Sequence, residues 1–163
     1  MHNGCVSFRW GFGRRRSSAP PIDRATIALC AEMVGGARAL LNSAVEYAKL
    51  RMQFGRPIGS FQAIKHKCAE MLLEVELATS AARYAAAAID AGDSDMPALA
   101  SLAKAMASDA YMRAAIECLQ IHGGIGFTWD EDTHLWFKRA KSSEVLLGDA
   151  HHHRELMMQR WAA

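Results

Sequence analysis

From Asp23 onward, apolar residues in this chain recur at steps of three and four. Ile27, Cys30, Ala31, Val34, Ala37, Leu41, Ala44, Val45 and Ala48 trace one stripe. Ile64, Cys68, Met71, Leu72, Val75, Ala78, Ala82 and Ala85 trace a second, and Leu99, Leu102, Ala103, Met106, Ala110, Ile116 and Leu119 a third. A period near 3.6 puts such residues on one face of an α-helix. No stretch alternates apolar and polar for a useful length, so no strand is expected. The pattern predicts an all-α fold: an up-and-down helical bundle of three long helices and a terminal helical pair.

Local signals set the expected boundaries. Asp23 is placed to cap the first helix, which should stop near Phe54-Gly55, before Pro57. Ser60 is a cap for the second helix, and Asp93, Ser94 and Asp95 are caps after the Gly92 turn. Gly123-Gly124 ends the third helix like a glycine C-cap. A fourth helix is expected over Thr133 to Leu146, and a fifth from Gly148-Asp149 to the C-terminus. Gly35-Gly36 inside the first helix predicts close approach of another backbone. The alanines between Ala81 and Ala88 predict tight helix–helix contact.

Residues 1–21 carry Arg14-Arg15-Arg16 and then Ser17-Ser18-Ala19-Pro20-Pro21. They read as a flexible, solvated tail ahead of one folded domain over 22–163. The length of 163 residues fits a single domain with a real core. Nineteen basic against seventeen acidic residues give a net charge of +2, too balanced for nucleic acid or a membrane surface as the main partner. Charges break the apolar stretches well short of a membrane span. Cys5, Cys30, Cys68 and Cys118 form no C-x-x-C pair, which argues against zinc and fits a reducing, cytoplasmic setting. His151-His152-His153 reads as a surface run, since successive helical residues diverge and cannot share one ion. Trp129, Trp136 and Phe137 read as core or interface anchors.

Two loops carry chemical information. One is Arg51-Met52-Gln53-Phe54-Gly55-Arg56-Pro57-Ile58, followed by Phe61-Gln62. The other is Gln120-Ile121-His122-Gly123-Gly124-Ile125-Gly126-Phe127. Glycines admit a phosphate close to backbone N–H groups, arginine offers a fork of donors, and phenylalanine offers a flat face to a ring. The combination is compatible with a dinucleotide. The glycines follow a helix rather than a strand, so they are not a Rossmann fingerprint. The alternative is a pair of plain helix-ending turns.

Taken in order, these motifs resemble the C-terminal domain of the acyl-CoA dehydrogenase family. The helix ending Tyr47-Ala48-x-x-Arg51-x-Gln53-Phe54-Gly55 comes first, then Phe61-Gln62, Ala103-Lys104-Ala105-x-Ala107-Ser108, Gln120-Ile121-His122-Gly123-Gly124 and a charged helix ending at Gly148. The likeness covers Asp23 to about Arg160. The family's N-terminal helical and middle β-domains have no counterpart in these 163 residues. A truncated remnant or a standalone partner subunit would each give that picture.

The resemblance implies a flavoenzyme of lipid metabolism that oxidises acyl-CoA thioesters to 2,3-enoyl-CoA and passes electrons to an electron-transfer flavoprotein. It implies FAD as cofactor, a homodimer, tetramer or hetero-oligomer with a full-length relative, and acyl-CoA bound through a complete subunit. Arg51 would pair with the pyrophosphate, and Gln53, Phe54 and Gln62 would lie on the adenosine side. Gln120, Ile121, Gly123 and Gly124 would line the cradle. Two turns from opposite ends of the bundle would thus converge on one diphosphate. The family's base, a Glu in an E-G-T segment, falls on Leu147 of Leu147-Gly148-Asp149. The alternative base position falls near Ala25-Thr26, also without a carboxylate. Glu144 is the weak remaining candidate, its ordinary role being an ion pair with Lys141 or Lys138. Asp149 stands where a hydroxyl residue normally meets the flavin, and doubles as a cap for the last helix. A missing base removes about two to four orders of magnitude in rate. A non-catalytic subunit that contributes an FAD-binding or oligomerisation surface is therefore the second reading.

Overall fold

A computed structural model describes residues 20–162. The 1–19 part of the expected tail, with Cys5 and Arg14 to Arg16, lies outside the described residues. Five α-helices account for most of the rest: α1 (Pro21–Leu50), α2 (Gln62–Ala91), α3 (Met96–His122), α4 (Thr133–Val145) and α5 (Ala150–Trp161). The all-α bundle of three long helices and a terminal pair is what the stripes predict.

Contacts at the helix ends fix the directions. Asp23, at the start of α1, pairs with Arg160 at 2.9 Å, and Arg160 also donates to the carbonyl of Pro97 at the start of α3. At the other end, the Tyr47 ring of α1 stacks on His122, the last residue of α3, at 4.1 Å. Helices α1 and α3 therefore run parallel and pack directly on each other, with α2 antiparallel to both. Helix α4 starts against Gly126, where Thr133 donates to the glycine carbonyl at 2.7 Å, and runs back along α3.

Helix α3 is buried on nearly every side, as a helix at the centre of a bundle must be. Ala100, Ala103, Ala107, Ala110, Ala114 and Ala115 let the neighbouring helices approach closely. Met33, Leu40, Met71, Val75 and Tyr111 fill the remaining space. Each such side chain contributes about 1.5–3 kcal/mol by leaving water. Ala82, Ala85 and Ala88 are buried, as the alanine run predicts. Cys30 and Cys118 are fully buried, and desolvation pushes their thiols up to about 12 and about 11, which makes them inert packing groups.

Several local expectations are corrected. Asp23 does not cap α1, because Pro21 presets the first helical residue and Asp23 lies inside the first turn, buried against Arg160. Ser60 closes a short 3-10 turn (Ile58–Ser60), and Phe61 stands at the cap of α2 without a side-chain hydrogen bond. Helix α1 stops at Leu50, four residues early. A two-stranded ladder follows, β1 (Met52–Gln53) antiparallel to β2 (Arg56–Pro57). It is too short for an alternation signal. Gly36 meets the Tyr111 ring rather than a backbone, and Gly35 faces open space. His153 is buried, whereas His151 and His152 are exposed, so the histidine run is only partly a surface feature. Trp129 is 83% exposed and anchors no core. The cap expected of Asp149 is present: its Oδ1 accepts from the His152 amide at 2.8 Å.

Candidate functional site

The hairpin after α1 is a tight two-residue turn. Phe54 and Gly55 have φ of 53° and 75°, and positive φ at both centres is the type I′ geometry that matches strand twist. The Ile58 amide donates to the Arg51 carbonyl at 2.8 Å and the Arg51 amide donates to the Tyr47 carbonyl at 2.9 Å. With the Arg51 backbone engaged, its guanidinium is the group left facing solvent. Phe54 is 90% exposed and held in a conformation that a non-glycine residue rarely adopts. Its ring meets Phe61 edge-on at 6.1 Å, and the Arg56 guanidinium lies 4.1 Å over that same Phe61 ring. These contacts stiffen the hairpin.

The second loop starts where α3 ends. Gly123 has φ 66° and ψ −143°, and its amide reaches back to the carbonyls of Gln120 and Leu119. A Cβ on Gly123 or Gly124 would meet nothing within 4 Å, so the backbone there lies open to a close approach. The loop continues as a 3-10 turn (Gly123–Phe127) whose Phe127 is 69% exposed.

The Tyr47–His122 stack joins the two loops. The Tyr47 hydroxyl also donates to the His122 carbonyl at 3.5 Å. Tyr47 precedes Arg51 by one helical turn, and His122 immediately precedes Gly123. The loops therefore share one end of the bundle and do not come from opposite ends. Arg51, Gln53, Phe54, Gln62, Gln120 and Gly124 are all exposed there. Ile121 departs from the expected role: its side chain is in the core, and only its backbone is left for a ligand.

Asp149 does not belong to this cluster. The Gly148 carbonyl accepts from Lys104 at 2.9 Å, and Lys104 is sixteen residues before Gln120 on α3. At 1.5 Å per residue that is roughly 24 Å along the axis. The Asp149 turn and the Arg51 hairpin thus lie at separate places on the chain. A hydrogen bond from the His152 amide holds the Asp149 carboxyl below the usual carboxylate range, in keeping with its role as cap.

No carboxylate stands at position 147. Leu147 is apolar, and Glu144 pairs with Lys141 at 2.5 Å. Thr26 is buried with its hydroxyl donating to the Ile22 carbonyl at 2.8 Å. Lys104 is the residue that periodicity does not reveal. It sits in a run of small residues, yet its ammonium is fully buried and donates to Ser108 Oγ at 3.0 Å and to the carbonyls of Glu144 and Gly148 at 3.0 and 2.9 Å. A lysine flanked directly by Ala103 and Ala105 is a cue, but only burial shows its meaning. Among the described residues no group of three metal-ligating side chains converges. No helix among them is long and apolar enough to cross a membrane.

Known proteins give this fold its class. The family description "Acyl-CoA dehydrogenase, C-terminal domain" matches residues 15–162. The acyl-CoA dehydrogenase IpdE2 of Mycobacterium tuberculosis is 49% identical over 125 residues, which is 77% of this chain and 37% of that protein. The structure of butyryl-CoA dehydrogenase from Megasphaera elsdenii superposes with a TM-score of 0.82 at 32% identity, covering 87% of this chain and 37% of that one. The ChsE4-ChsE5 complex from Mycobacterium tuberculosis gives 0.82 at 30% identity, covering 86% and 38%. The chain belongs to the acyl-CoA dehydrogenase family and corresponds to its C-terminal helical domain. It spans a little over a third of the length of these relatives.

Proposed function

We propose that this chain supplies the adenosine-diphosphate side of an FAD site in an assembly that oxidises acyl-CoA thioesters at the α,β position. The observation that carries this reading is the Tyr47–His122 junction, which sets an exposed arginine beside two bare glycines at one end of the bundle. The donor set fits such a group. Arg51 presents parallel N–H donors suited to pyrophosphate. Gly123 and Gly124 leave room where a side chain would stand. Phe54 offers a ring face, and Gln53, Gln62 and Gln120 offer amides that both donate and accept. When bound, the flavin supplies the hydride acceptor of the reaction.

Asp149 and its turn lie too far from Arg51 to grip the same diphosphate within one chain. A second chain, of this kind or a full-length relative, would bring the halves together, with electrons leaving to an electron-transfer flavoprotein. The second reading, a subunit that completes a partner's site without catalysing, is favoured by Leu147 and by the Lys141–Glu144 pair. Removal of the α-proton needs a carboxylate within hydrogen-bond reach, and this chain offers none at that turn.

Flavin and ADP titrations of the purified chain, with and without a full-length relative, test the site. Arg51→Ala is expected to weaken binding by roughly ten- to a hundredfold, the weight of a charge-assisted contact. Unchanged affinity would remove Arg51 from the site. Dye reduction with acyl-CoA esters is expected to show no turnover by this chain alone, and turnover by it would overturn the non-catalytic reading.

A further inference from the structure

The turn between α4 and α5 is held in a conformation that L-residues avoid. Leu147 has φ 62° and Gly148 φ 106°. A non-glycine residue there costs on the order of 1–3 kcal/mol and persists only where its surroundings fix it. Gly148 itself has no alternative, since a Cβ would lie 2.6 Å from His152 Cδ2 and 3.2 Å from His153 Nε2.

Two buried side chains do the fixing, from two different helices. From α3, the Lys104 ammonium ties Gly148 to the end of α4 through the two carbonyls it meets. From α5, His153 Nε2 lies 2.9 Å from the Leu147 carbonyl. A carbonyl only accepts, so Nε2 carries the proton and Nδ1 of the neutral ring is bare. That Nδ1 is buried and has no partner among the described residues.

We propose that Lys104 and His153 are positioning residues that latch the Leu147–Gly148 turn, and that protonation of His153 releases the latch. A second ring proton would sit on the buried Nδ1, with no acceptor to receive it. The charges that face the ring disfavour it as well: Lys104 from α3, and His152 and Arg160 from its own helix. The anions nearby are engaged elsewhere. Asp149 holds the His152 amide, Asp23 on α1 pairs with Arg160, and Glu144 on α4 pairs with Lys141. Burial above all holds His153 below the usual histidine range, against the opposing hydrogen bond to the Leu147 carbonyl, with smaller contributions from the side chains facing the ring.

The sign follows from linkage. With the turn open, the ring takes its proton near pH 6.5, while in the closed turn it stays neutral to lower pH. The latch is complete above about pH 6.5 and is lost as pH falls below it. Because one proton is taken up, opening rises by up to about tenfold per pH unit in that window. What moves is the orientation of residue 147 and of the Asp149 cap. The latch stands on the geometry of the turn alone, whether or not flavin binds.

Amide hydrogen exchange of the full chain, as protection factors corrected for intrinsic rate, is the test at about pH 7.5 and about pH 5.5. Protection over residues 145–153 is expected to fall several-fold at the lower pH while residues 75–85 of α2 stay unchanged. His153→Gln cannot titrate and should abolish the pH dependence. His153→Leu removes the donor and should leave the segment weakly protected at both pH values. A parallel loss in α2 and the turn would show general unfolding instead of a latch. Persistence of the pH-dependent loss in His153→Gln, or full protection in His153→Leu, would overturn the proposal.

Discussion

Gly36→Val is expected to lower the melting temperature by roughly 10 °C. An ideal Cβ on Gly36 would lie 2.6 Å from the Tyr111 ring, and Tyr111 is the largest fully buried side chain of the core. The ring is hemmed in between α1 and α3 and has no exposed side to move into. Forcing extra carbons into such a site costs about 1–3 kcal/mol, and valine adds two methyl groups beyond the Cβ. At about 2–4 °C per kcal/mol for a domain of this size, the upper part of that range gives the stated shift. The adjacent glycine has the opposite sign. Gly35 is exposed, helical and free of neighbours, so Gly35→Ala should stabilise by about 0.5–1 kcal/mol through helix propensity. Thermal melts followed by circular dichroism distinguish the two. Equal shifts for both variants would mean that α1 does not pack on α3 through Gly36.

Lys104→Met should cost about 2–4 kcal/mol, read from denaturant midpoints at constant slope. Methionine keeps most of the apolar stem, so the loss isolates the ammonium. Without it, the carbonyls of Glu144 and Gly148 each lose a buried donor, and Ser108 loses a partner. Burial pushes the Lys104 pKa down, against the attraction of Cys30, Glu144 and Asp149. The buried charge is itself expensive, so the balance rests on its three acceptors. A Lys104→Met protein as stable as the parent would show that those hydrogen bonds contribute nothing net.

Much of this was legible before any coordinates. Period and glycine spacing are properties of single helices, so the five elements and the Gly123 stop can be read along the chain. What needed the third dimension was contact between distant residues. Nothing in the order of residues shows that Tyr47 meets His122, or that Asp23 is an ion-pair partner of Arg160 instead of a cap. The hairpin at Met52–Pro57 escaped because two-residue strands have no periodicity, and its signal lay in the Phe54-Gly55 pair of left-handed residues. Lys104 and His153 escaped because each looks like a surface residue until its neighbours are known. Ile121 sits in the glycine motif read from the sequence, but its side chain turns into the core.

The distance between the Asp149 turn and the Arg51 hairpin bears on how such a protein behaves in a dilute sample. Under the proposed reading, a dinucleotide shared between the two places would straddle two molecules, and its retention would follow the law of mass action for their encounter. The yellow colour should then fade on dilution and return on concentrating, long before any helix melts.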